Sequence, residues 1–228
     1  MIKTSTNLQS IWILTPIFGT FLFVCLYVVA TFFYPGGSQI DNTSTGFSWV
    51  NNYWCNLLDE NAMNGERNAA RSIAMAATFV LGFTLAHFWY LFPRQAGFGK
   101  TGRLTIQISG AVAMFVMLVG LFIFTEFHDA IIHVASLFGL VAVVGTFTGL
   151  RKLKWTKLFW LGLFNLLLVA FNNILYYGDG LKLYLPVVQK ITFLFFLFWI
   201  CLIDINLYRK SNSQRTGRST ASLVGPPA

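Results

Sequence analysis

The 228 residues are 56% hydrophobic and only 11% charged, against about 25% charged in ordinary soluble domains. That balance excludes a water-soluble fold, and the formal charge of +8 reads as loop charge that orients a membrane chain, not as a nucleic-acid surface. Of the three cysteines, Cys25 and Cys201 lie in apolar segments and Cys55 in a loop, which excludes a disulfide framework and a paired-cysteine metal site.

The apolar residues fall into blocks of about 20 or more, the length a helix needs to cross a hydrocarbon core about 30 Å thick. Six blocks, at 11–33, 71–92, 104–125, 129–150, 156–176 and 184–208, predict an all-α bundle of six transmembrane helices within residues 1–210. Barrel strands would alternate apolar and polar residues, whereas Phe21 to Ala30 and Phe193 to Leu202 are apolar on every side. The first block outruns a signal-peptide core of about 7–15 residues and no Ala-x-Ala site follows it, so it reads as an uncleaved span.

Between the first two blocks lies one long loop, Tyr34 to Ala70, opened by the turn signal Tyr34-Pro35-Gly36-Gly37. From Ser48 to Asp59, Trp49, Val50, Tyr53, Trp54, Leu57 and Leu58 recur at helical spacing, with Asn51, Asn52, Asn56 and Asp59 on the other face. The pattern predicts a short helix in the outer interface, serving either as an aromatic anchor or as a lid over a cavity among the helices. Asn64-Gly65 supplies a tight turn before the second span. Asn42-Thr43-Ser44 matches a glycosylation acceptor, a short pattern with meaning only in a eukaryotic secretory pathway.

With both termini in the cytoplasm, the inner segments hold twelve of the sixteen basic residues, in clusters around Arg94 to Arg103, Arg151 to Lys157 and Arg209 to Arg218. The outer segments then hold seven of the eight acids, as the positive-inside rule requires. Short loops without disulfides suit a bacterial inner membrane. The stretch 211–228, rich in Ser, Thr, Arg, Gly and Pro, predicts a disordered cytoplasmic tail.

Ionisable groups inside a span are costly, so each needs a partner or a function. In the fourth block Asp129, His133 and Ser136 follow at i, i+4 and i+7, on a single helix stripe, with His128 just before. The fifth brings Asn172 and Asn173, and the sixth Lys190, to similar depth. Three readings follow. Asp129, His133, Asn172, Asn173 and Lys190 could line an outward polar pocket that binds a lipid or small amphiphile. The same place could hold Zn²⁺ on His128, Asp129 and His133, with Ser136 or a bound water as nucleophile on a lipid headgroup, although no His-Glu-x-x-His spacing supports a metal. Alternatively the groups are structural: Asp129 caps its helix, and Lys190 snorkels or pairs with Asp129 or Glu126. Glycines at 110, 120 and 162 suit a further reading, packing against a membrane-protein partner. Asp204, alone among the inner basic residues, predicts an ion pair with Arg209 or a loop arginine. No pair of short, Gly/Pro-interrupted spans in matching halves points to a transporter.

Tyr34-Pro35-Gly36, then Asn52-Tyr53-Trp54-Cys55-Asn56-Leu57, then Asn64-Gly65-Glu66-Arg67-Asn68, with Gln189-Lys190 opening the last block, resemble the uncharacterised six-span prokaryotic membrane proteins of the Frag/DRAM-like kind. The resemblance implies a six-helix bundle and carries no catalytic role. A looser similarity to ceramidase and progestin-receptor-like membrane hydrolases implies zinc. Here only His128, Asp129, His133 and Ser136 match their ligand and nucleophile types, and the late His-x-x-x-His pair is missing.

Overall fold

Proline and glycine set where the first helix ends. α1 (Lys3–Thr31) tightens in its last turn, Phe32 and Phe33 donating to the Val29 and Ala30 carbonyls at 3.1 and 3.0 Å, before Pro35, which has no N–H to extend the ladder, and the two glycines after it. The computed structural model describes the backbone of residues 3–123, 128–178 and 180–223 and the side chains of 11–120, 122, 130–178 and 180–214. It continues with α2 (Arg71–Gln95), α3 (Lys100–Ile123), α4 (His128–Lys152), α5 (Thr156–Tyr177) and α6 (Leu185–Leu223). Each contains a stretch long and apolar enough to cross a membrane, six in all. The described residues form no strand beyond two isolated bridges in the long loop, Gly36 to Thr45 and Asn61 to Arg67.

α1 to α4 pack in sequence, α5 packs on α6, and α6 closes back against α1. α2 sits at the centre, touching α1, α3, α4 and α6, while α4 and α5 meet only sparsely. Phe88, Phe92, Trp199, Ile200, Ile203 and Leu207 form the fully buried core, with the Trp199 indole donating to the Leu158 carbonyl at 2.8 Å. Between helices in lipid, close van der Waals packing replaces the hydrophobic drive, and small residues permit it. A Cβ on Gly110 would lie 2.7 Å from that of Trp89. Gly120 likewise faces Ile131, and Gly162 faces Trp199 and Phe147. The three glycines expected to meet a partner protein are therefore used inside the chain.

Two further expectations change. Asp204 does not pair with Arg209: it is 0% exposed, and neither carboxyl oxygen has a hydrogen-bond partner among the described residues. Five residues apart on a helix is a turn of about 140° beyond a full circle, so the two side chains diverge. Of the unstructured tail that composition suggests for 211–228, the backbone of α6 runs as helix through Leu223, and 224–228 lie outside the described residues.

Candidate functional site at the long-loop end

The long loop is built by asparagines. Asn52, fully buried, accepts from the Ser48 amide at 2.8 Å and donates to the Gly37 carbonyl at 2.9 Å. Asn56 accepts from the Tyr53 amide at 2.8 Å. Asn68 donates to the carbonyls of Asn56, Leu57 and Asp59 at 3.0, 3.2 and 2.9 Å and accepts from the Ala70 amide at 3.1 Å. These side chains take backbone partners that a regular helix would need for itself. The expected interfacial helix over Ser48 to Asp59 is accordingly absent, and helical geometry is confined to a 3-10 turn at Trp54–Leu57. Gly37 holds φ +81, and a Cβ there would collide with the Asn64 amide nitrogen.

Trp54 points down into the bundle, its ring centroid 5.0, 5.2 and 6.0 Å from those of Tyr27, Phe193 and Phe23. Lys190 meets the loop from below. It is 6% exposed and its ammonium donates to the carbonyl of Asn52 and, at 2.9 Å, to that of Pro186. Gln189 beside it accepts from the Trp54 amide at 3.4 Å. The loop is thus pinned to the start of α6 by two consecutive side chains. At its surface, the hydroxyl and amide of Thr43, at 2.7 and 2.8 Å, hold the Asp41 carboxyl below the usual carboxylate range. Burial pushes the Tyr34 and Tyr53 phenols up, and the Tyr34 oxygen accepts from the Met63 amide at 3.0 Å.

The predicted pocket residues divide into three places. Lys190 faces the loop. Asn172 donates at 2.5 Å to Thr192, two residues on from Lys190, and at 2.8 Å to its own helix, tying α5 to α6. Asn173 is exposed and donates to Val169 in its own helix at 2.9 Å. His133 is exposed on α4, its Nε2 3.5 Å from the Tyr177 hydroxyl on α5, and Ser136 is exposed one turn along the same stripe. The side chains of His128, Asp129 and Glu126 lie outside the described residues, and no three His, Cys, Asp or Glu side chains within those residues come together as a metal site.

Sequence reasoning reached Lys190 but missed Asn52 and Asn68 as the loop's organisers. The signal was present in the loop's five asparagines between Asn51 and Asn64 and in Asn68, residues that favour local backbone capture. Neither a family model, nor a curated protein, nor a solved structure matches the chain.

Proposed function

We propose that this is a multi-pass integral membrane protein of a bacterial plasma membrane, with both termini in the cytoplasm, that binds a lipid or small amphiphile at the long-loop end of α4. The observation that carries the reading is an exposed stripe of changing polarity. His133 and Ser136 lead into Leu137, Leu140 and Val144, spaced i, i+3, i+4, i+7 and i+11 and all exposed. An amphiphile has that profile: a polar head for His133, Ser136 and the adjacent Tyr177, and an apolar tail for the leucines and valine. The sealed position of Lys190 supports a surface site of this kind over an enclosed pocket, and makes the loop a fixed cap.

Photocrosslinking tests the site. A diazirine-bearing phospholipid reconstituted with the protein should label the 133–144 segment strongly, and His133→Ala with Ser136→Ala should reduce that labelling. Equal labelling of exposed Ile108 and Phe115 on α3, unaffected by the double substitution, would mean ordinary lipid contact and end the reading. Orientation is tested separately: an impermeant maleimide should reach Ile40→Cys in intact cells and Lys157→Cys only after permeabilisation.

A further inference from the structure

The α4 stripe does not stop at Val144. It continues through Thr148 to Arg151, both exposed, into a groove of about 260 Å³ between α4 and α5, close to the lower end of ligand-site volumes of ~300–1,000 Å³. Val144, Phe147 and Thr148 of α4 and Phe159 and Leu166 of α5 give it apolar walls, and Arg151 stands at its end. Phe147 and Phe159 pack edge to face at 5.2 Å, and the Arg151 guanidinium lies 4.7 Å from the Phe159 ring centroid.

The neighbouring cations are occupied differently. Lys152 donates to the Gly97 carbonyl at 2.8 Å and lies 4.5 Å from the Phe98 ring centroid, and Lys210 donates to the Gln95 carbonyl at 3.1 Å. Among the described residues no acceptor meets the Arg151 guanidinium. Lys154 in the α4–α5 turn and Lys157 at the start of α5, both exposed, stand just beyond. The described acid at this end of the bundle, Asp204, is buried at 0% exposure and supplies this cluster no surface counter-charge.

We infer that the α4–α5 groove binds one anionic phospholipid of the leaflet at the basic end, its acyl chain between Val144 and Leu166 and its phosphate on Arg151. The charge of the cluster selects the occupant. A guanidinium offers a planar fork to phosphate oxygens, and a basic pocket between helices at headgroup depth is where an anionic head can be held while its tail stays in hydrocarbon. A zwitterionic lipid would fill the apolar walls equally well but gain less from the cations. The inference rests on the reading that the helices cross a bilayer and is independent of the amphiphile at the other end of the stripe.

Native mass spectrometry of the full chain, delipidated in detergent and titrated with phosphatidylglycerol or phosphatidylcholine of matched chains, reads the preference. The expected result is one phosphatidylglycerol bound about fivefold more tightly, the worth of one cation near an anionic head. Arg151→Gln should abolish the preference, while Arg209→Gln keeps it. Leu166→Trp, which leaves every charge in place and fills the groove, should weaken both lipids, and this covers the case in which Arg151→Gln fails to fold. Equal affinity in the wild type, an undiminished preference in folded Arg151→Gln, or unchanged binding in Leu166→Trp overturns the proposal. If the chain stays in the soluble fraction after cell lysis without detergent, the bilayer reading itself has failed.

Discussion

The long-loop end and the α4–α5 seam contrast two ways of holding polar groups on an apolar bundle. At the loop, Asn52, Asn56, Asn68, Gln189 and Lys190 each meet a backbone partner, and Asn52 is 0% exposed. Along the seam, His133, Ser136, Thr148 and Arg151 stand exposed on one α4 stripe and the two helices touch sparsely. A buried polar group is stabilising only when fully partnered, a condition that the loop asparagines and Lys190 meet and the buried Trp54 indole N–H, among the described residues, does not. The seam sets its polar groups at the surface, which suits contact with molecules from outside the chain. The loop's polar network thus holds the fold together, and the functional surface is proposed where two consecutive helices pack sparsely.

Breaking the loop network should have the largest effect. Asn52→Ala removes a buried acceptor and donor together and should cost about 2–4 kcal/mol, the sum of lost bonds and stranded backbone groups. Limited proteolysis should then cut within 34–70 while α4 and α5 remain intact; simultaneous loss of the helices would show that loop and seam are one cooperative unit. Lys190→Met retains length and bulk but strands the Asn52 carbonyl, while the Pro186 carbonyl keeps its partner within α6. It should cost about 1–3 kcal/mol and raise amide exchange around Asn52 and Trp54, with lipid labelling of the His133 stripe unchanged. Were that labelling lost instead, Lys190 would belong to the binding surface and the contrast would fail.

Asp204→Asn should act in the opposite direction. Asn165, Asn172, Asn173 and Asn206 each donate to the carbonyl four residues back, at 2.7 to 2.9 Å. An amide at 204 can do the same toward Ile200, giving a buried group the partner the carboxyl lacks. A gain of about 1 kcal/mol is expected, read as a rise of about 2–4 °C in the thermal midpoint. A fall would mean that the carboxyl has a partner essential to the fold.

The smallest effect is a pH response of the loop. Burial raises the Tyr34 phenol above its ordinary value, so the folded loop favours the neutral form. The associated stability is fully present below the unfolded value of about 10 and is lost as pH rises through the folded one. Exchange protection around Met63 should fall in that alkaline window and be flat in Tyr34→Phe.

Six helices were legible in the sequence because length and unbroken apolarity are local properties, and a segment of about 20 apolar residues has one economical backbone state when water is absent. Arg71, Thr156 and Leu185, where three of them begin, fall within a residue of the expected starts. Tertiary structure alone decided which polar side chains meet. Lys190 and Asn172 share a depth in the sequence but point to opposite sides of α6, one toward the loop and the other, through Thr192, toward α5. The Ser48 to Asp59 pattern resembled a helix because periodicity counts apolar residues and ignores asparagine's competition for the backbone. Asp204 and Arg209 were matched by charge, but their angular separation on one helix and the packing around α6 determine that they stay apart.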